Sequence, residues 1–380
     1  MKPIEALPTP QPVDVTGIVS WAHIGDLHIT TSEQQNYTDL HDILTQLNAS
    51  FTRGLNFAFL PGDIAEHGAP EEFQLARSAL DRLHLPWFSI VGDHDVHTRS
   101  FEPFHNAVSP ALCYVFDCGD YRFVALNAFA KPAPDSLLLG EDQLSFLKQQ
   151  FEDVATLAKS SVIFLHCYPS DLKQDYERVR KLIGRFCPLL VEMGHTHYNE
   201  VAQDEPTLYA TTRSTGQIEE GPAGFSITNL DHGCVSWKFR ELQSSAPFVM
   251  ITSPADWRLI PRNSIHQLLS ASIRVKVWSQ SPIRMVLADT DRQSSIPLER
   301  IPETNVWLSP VLTSLDSVEA IRVTATAADG TAGYDEIQLP HPSRRSPPLQ
   351  PRDQDNVVGA WPERGILGTQ LGPNKNGRKW

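Results

Sequence analysis

No run of eighteen apolar residues occurs anywhere in the sequence, which excludes a helix able to cross a bilayer. The first residues, MKPIEALPTPQPVDVTG, carry one lysine and no apolar stretch, so a secretory leader is not expected and a cytoplasmic location is. Cysteine is scarce. The five residues at 113, 118, 167, 187 and 234 are odd in number and lack Cys-x-x-Cys spacing, which excludes a disulfide framework or a zinc knuckle and suits reduced thiols. Cys167 reads as core packing. Positive charge is also short. With 32 Lys and Arg against 45 Asp and Glu, the net charge of −13 excludes a broad nucleic-acid surface, which needs cations to displace phosphate counterions. A site for one small anion is still open to an acidic protein if local cations reverse the sign within it.

The rest of the composition, 41% hydrophobic and 20% charged over 380 residues, fits a globular protein too long for one ordinary core. Residues 1–16 read as an extension. Residues 17–243 alternate short apolar runs with helical periodicities, the pattern of a layered α/β domain. Strands are expected at Gly17–Ile24, Asn56–Leu60, Trp87–Val91, Val162–Leu165 and Leu189–Met193, with a hairpin turning at Cys118-Gly119-Asp120. Tyr37, Leu40, Leu44 and Leu47 share one helical face. Phe73, Ala76, Leu80 and Leu83 share another, on a helix opened by Pro70-Glu71-Glu72, and Leu144, Leu147 and Phe151 mark a third. Residues 244–341 show only strand-like runs, at 248–252, 272–278, 283–288, 306–312 and 320–327, and predict a small all-β, Ig-like sandwich. Residues 342–380 begin as a Pro/Arg-rich linker and end in a tail whose Trp361, Ile366 and Leu367 are too apolar for a purely solvated end. A homo-oligomer built through the β domain or tail is compatible with this layout, and the basic cluster Asn374–Lys379 reads as a solvated end.

The chemistry is concentrated at the ends of the expected strands. They run into Gly25-Asp26-Leu27-His28, Gly62-Asp63, Gly92-Asp93-His94-Asp95, His166 and Gly194-His195-Thr196-His197. Singly, an Asp after Gly is a turn residue and a lone histidine is a structural one. Together they are a design, because ligands of open α/β sheets sit beyond the carboxyl ends of the strands. Mixed Asp and His favour Mn²⁺, Fe²⁺ or Zn²⁺. The set exceeds what one ion needs and suits two ions sharing a carboxylate, which can activate a bridging water and clamp a phosphoryl group. His67 and Arg213 are further candidates to line the pocket, while His23, His41, His84, His97 and His105 match no block.

The ordered blocks Asp-Leu-His, Gly-Asp, Gly-Asp-His-Asp, the histidine of Phe-Leu-His-Cys-Tyr-Pro and Gly-His-Thr-His resemble the signature of the calcineurin-like metallophosphoesterases over roughly residues 17–240. The bacterial cyclic-nucleotide and glycerophosphodiester phosphodiesterases are the branch they are most similar to. The resemblance implies a metallophosphoesterase-type β-sandwich flanked by helices. It implies one metal on Asp26, His28, Asp63 and His197, and a second on Asp63, Asp93, His166 and His195. His94 would be the acid in hydrolysis of a small phosphodiester by a metal-bridging hydroxide, with Asp95 orienting its imidazole. A phosphomonoesterase and a silent scaffold are the alternatives. One departure stands out: the family's usual asparagine is Asp93 here, which adds a negative charge beside the ions.

Overall fold

The computed structural model describes residues 6–203, 207–242, 244–261, 272–311, 315, 318–340 and 358–367. Eleven strands build two sheets in its first part. They are β1 (Val19–His23), β2 (Phe57–Leu60), β3 (Trp87–Ser89), β4 (Tyr114–Cys118), β5 (Tyr121–Ala125), β6 (Ser160–Phe164), β7 (Leu190–Met193), β8 (Glu200–Gln203), β9 (Leu208–Thr211), β10 (Gly224–Asp231) and β11 (Cys234–Glu241). One sheet runs β11-β10-β1-β2-β3 and the other β4-β5-β6-β7-β9-β8. The pairs β1–β2, β2–β3, β5–β6 and β6–β7 are parallel, so the chain must cross over through helices and their carboxyl ends share one rim.

Alternation along the strands sorts the side chains into two cores. Trp21, Phe57, Phe59, Phe88, Phe123 and Phe164 point between the sheets into a single aromatic cluster. Ala22, Ala58, Leu60, Val124, Ile163 and Val191 point outward and pack under the helices. Those helices are α1 (Gln35–Gln46), α2 (Pro70–Leu80), α3 (Glu102–Ala107), α4 (Gly140–Leu157) and α5 (Tyr176–Phe186). The faces expected from periodicity are the buried ones: Leu40, Leu44 and Leu47 beside α1, Phe73, Ala76, Leu80 and Leu83 beside α2, and Leu144, Leu147 and Phe151 on α4.

β10 and β11 are not apparent in the sequence. Their outer face carries Asn229, Ser236, Lys238 and Arg240, which alternation would assign to solvent, yet all four are buried. A second, all-β body covers them. It consists of β12 (Phe248–Ser253), β13 (Arg274–Trp278), β14 (Ile283–Thr290), β15 (Ile296–Pro297), β16 (Glu299–Arg300), β17 (Val306–Leu308), β18 (Ala320–Ala327) and β19 (Ala332–Gln338). Its two four-stranded sheets, β12-β13-β17-β16 and β15-β14-β18-β19, enclose a core of Val249, Val275, Val286, Ile321 and Val323, the sandwich expected. Buried and half-buried cations fasten it to the first body. Lys276 Nζ donates to Ser20 Oγ at 2.7 Å, Arg274 pairs with Asp231 at 3.3 Å, and Lys238 pairs with Asp335 at 3.2 Å.

The expected run at 306–312 ends as a strand at Leu308, and Leu312 lies outside the described residues, as do residues 342–357 and Asn374–Lys379. The apolar part of the tail is described. Val358, Trp361 and Ile366 are buried in the inter-sheet aromatic core. Among the described residues no helix is long and apolar enough to cross a membrane.

Candidate metal centre

The rim of the parallel strands is made of tight turns, and two glycines there are a matter of space. A Cβ on Gly25 would stand 2.1 Å from the Arg213 carbonyl, and one on Gly92 would stand 2.1 Å from Asp63 Oδ1. Leu27 and His28 N–H donate to the Asp63 carbonyl at 2.9 and 2.8 Å, binding the first two turns together. His28, Asp63, His195 and His197 all adopt positive φ, between 48° and 67°. Four non-glycine residues in the left-handed region at one rim mark a strained, over-determined site.

These turns bring the expected residues together. Asp63, Asp93, His166 and His195 each offer a donor atom within 4.8 Å of the others, and so do His28, Asp63 and His197. Asp63 belongs to both groups. The ring nitrogens are oriented for ligation. His166 Nδ1 lies 2.7 Å from the Pro61 carbonyl, its only role there being donation, which leaves Nε2 facing Asp93 Oδ1 at 2.9 Å. His195 Nδ1 lies 3.0 Å from the same oxygen. His28 and His197 meet Nε2 to Nε2 at 3.2 Å, a contact of two lone pairs or a shared proton that a cation would relieve. Asp26 is fully buried, accepts the His195 N–H at 3.2 Å, and stands 3.8 Å from His166 Nδ1, outside both groups.

The electrostatics match a place prepared for cations. Burial, and then the charge of Asp93, push the Asp63 carboxyl well above its usual range. Burial opposes ionisation of Asp93 too, but hydrogen bonds from His166 and His195 outweigh it and hold this carboxyl well below. Burial likewise works against charge on His166, yet Asp63 and Asp93 raise its imidazole.

His94 projects beside these groups without joining either. Its Nδ1 donates to the Glu66 carbonyl at 2.9 Å, its ring is about one-fifth exposed, and burial followed by the nearby His28 lowers its pKa. The expected partnership with Asp95 is not formed. Asp95 turns inward, where Oδ1 accepts the N–H groups of Ile64 and Ala65 at 2.9 and 3.0 Å and Oδ2 accepts that of Gly92 at 2.9 Å. It ties the second turn to the third. The short 3₁₀ turn His94–Val96 sends adjacent side chains in different directions, so adjacency in sequence misleads here.

Glu66 was not singled out by the sequence. It accepts His28 Nδ1 at 2.8 Å and Gln217 Nε2 at 3.0 Å, and these contacts hold its carboxyl down at about 2 despite partial burial. That fixes His28 with Nε2 toward the centre, the usual task of a carboxylate behind a ligating histidine. Glu66 lies three residues beyond Asp63, in a segment with no periodicity to point it out. Neither remaining pocket candidate stands with the ligand groups. His67 is two-thirds exposed and held by Glu72 at 2.7 Å, and Arg213 is buried with its guanidinium on the Pro222 and Gly365 carbonyls.

Residues 20–199, which span all five blocks, match the family described as calcineurin-like phosphoesterase. That match makes residues 20–199 a calcineurin-like phosphoesterase domain. Among its relatives in this family, the glycerophosphodiester phosphodiesterase GpdQ of Enterobacter lignolyticus is 29% identical over 220 residues, covering 51% of this chain and 76% of that one. A Synechococcus sp. protein named "Probable cyclic nucleotide phosphodiesterase" is 26% identical over 162 residues, covering 40% of this chain and 58% of the other. A dimetal phosphatase from Danio rerio shares the fold at 14% identity, with a TM-score of 0.51 over 59% of this chain and 96% of that one. The domain match and the two phosphodiesterase-named relatives mark the chain as a metal-dependent phosphoesterase of the bacterial phosphodiesterase-like branch.

Proposed function

We propose that the chain hydrolyses small phosphodiesters at a two-metal centre, and that Asp63, common to two converging donor groups, is the bridging ligand. One ion is assigned to Asp26, His28, Asp63 and His197, and the other to Asp63, Asp93, His166 and His195. Mn²⁺, Fe²⁺ and Zn²⁺ suit this mixed oxygen and nitrogen set. Such ions, when bound, supply the positive charge that acidifies a water and polarises the phosphoryl oxygens. The side chains do the remainder. Asp95 and the glycine turns fix the carboxylates in place, and Glu66 sets the tautomer of His28. His94, anchored through Nδ1, has Nε2 left to pass a proton to the departing alkoxide.

The phosphodiester preference is supported by Asp93. A third carboxylate among the ligands offsets three of the four charges two divalent ions bring, where an amide in its place would leave two offset. The more neutral centre holds a dianionic monoester less strongly relative to a monoanionic diester. The names of the two relatives, both diesterases, point the same way. We take residues 17–243 as the catalytic unit and 244–341 as an attached sandwich. A reducing, cytoplasmic setting suits five cysteines that all stand free.

The test is reconstitution of stripped protein with Mn²⁺, Zn²⁺ or Fe²⁺, followed by metal analysis and assay on matched aryl mono- and diesters. Two ions per chain and metal-dependent diester cleavage are expected. One ion at saturation, or faster monoester cleavage, would overturn the proposal.

A further inference from the structure

The described tail, residues 358–367, is more deeply buried than a chain end requires. Trp361 and Ile366 close a small loop by exchanging N–H···O bonds at 2.7 and 3.1 Å. Arg364 is fully buried, donates to Asp335 Oδ2 at 2.9 Å, and Arg258 stacks 3.4 Å over the Trp361 ring. Gly365 forms the tip at φ 85°, and a Cβ there would come within 2.6 Å of Phe239 Cβ. Apolar burial accounts for the docking of this segment. It does not account for where its tip is aimed.

The Gly365 carbonyl accepts Asn199 Nδ2 at 2.9 Å and Arg213 Nη2 at 3.2 Å. Asn199, fully buried, uses its Oδ1 to accept the Arg213 backbone N–H at 2.8 Å. The next residues grip the metal centre from behind. Thr215 and Gly216 N–H donate to the Asp26 carbonyl at 2.9 and 3.0 Å, and Ser214 Oγ donates to it at 2.8 Å. Gln217 then reaches Glu66, the carboxylate behind His28. Residues 213–217 belong to no strand, so side-chain and carbonyl partners of this kind fix their course.

We infer that the segment Val358–Ile366 is a strap that positions the metal centre, acting through Gly365 and Asn199 on the 213–217 turn and thereby on Asp26 and His28. Asn199 and Gly365 are positioning residues, and the inference rests on the metal reading above. Residues 358–366 lie well beyond the five blocks, so the part of the chain that carries the ligands does not by itself complete their support.

The test uses the full-length chain stripped of metal and titrated with Mn²⁺, free ion being read by electron paramagnetic resonance. Asn199→Ala and Gly365→Ala are each expected to weaken Mn²⁺ binding about 10–100-fold, the usual effect of removing support behind a ligand. The double variant should be no weaker than the worse single one by more than a few-fold, because both cut the same link. Melting curves confirm that binding is read on folded protein. Should Gly365→Ala fail to fold, Asn199→Ala, which leaves the apolar contacts of the tail in place, carries the prediction alone. Wild-type Mn²⁺ affinity in Asn199→Ala, or fully multiplicative losses in the double variant, would overturn the strap. A wild-type chain that takes up no Mn²⁺ overturns the metal reading and the strap with it.

Discussion

At the scale of single residues, the proposed mechanism gives the proton to His94 and the charge to Asp93. His94 belongs to neither donor group centred on Asp63, converging instead with His28 and Glu66. His94→Ala should therefore lower turnover by about 10²–10⁴-fold with both ions retained, measured by paired kinetics and metal analysis. Loss of metal along with activity would make it a ligand. Asp93 Oδ1 sits within 3.0 Å of nitrogens from both His166 and His195. In Asp93→Asn the ratio of diester to monoester hydrolysis should fall, since a dianion gains more than a monoanion from removal of that negative charge. About 1.4 kcal/mol of difference changes the ratio tenfold, and an unchanged or rising ratio refutes the charge argument. These residues were legible because each stands in a polar block that abruptly ends an apolar run. Glu66 and the true task of Asp95 were not, because a side chain's direction out of an irregular turn has no period to betray it.

At the scale of elements, the strands were legible where burial on both faces makes them continuously apolar, as in β2 and the Val162–Phe164 part of β6. They were hidden where a polar face is covered by another body, as in β10 and β11. The turns between strand and helix carry the site, and their glycines set its dimensions. Gly92→Ala puts a methyl group against the Asp63 carboxylate and its backbone N–H, 2.1 and 2.3 Å away. Asp63 must move. The variant should lose Mn²⁺ uptake and about 1–3 kcal/mol of stability, the range for overpacking. Equilibrium dialysis and urea unfolding would check the two effects separately, and normal uptake would show that the turn can yield without moving the carboxylate.

At the scale of the molecule, two bodies and a tail meet at one buried carboxylate. Asp335, on β19, accepts Lys238 from β11, Arg364 from the tail and the Ile251 N–H from β12. Lys238 is itself held below its usual pKa by burial. Asp335→Ala would strand Lys238 and Arg364 without their anion. The expected loss is about 3–5 kcal/mol in urea unfolding, as for other buried pairs deprived of one partner. The wild type should also melt in a single transition, with tryptophan fluorescence and far-ultraviolet dichroism coinciding, because cations cross the junction at Lys238, Arg274 and Lys276. Two separated transitions would show that the sandwich is merely tethered.

The left-handed backbone at His28, Asp63, His195 and His197 bears on how such a protein can change over generations. The three histidines hold a conformation that costs most L-amino acids roughly 1–2 kcal/mol and costs glycine almost nothing. A descendant released from the need for hydrolysis could replace any of the three histidines with glycine or asparagine and relieve that strain by the same mutation that discards a proposed ligand. Drift away from catalysis would thus be downhill for the fold, and persistence of all three side chains requires continued selection for what they do.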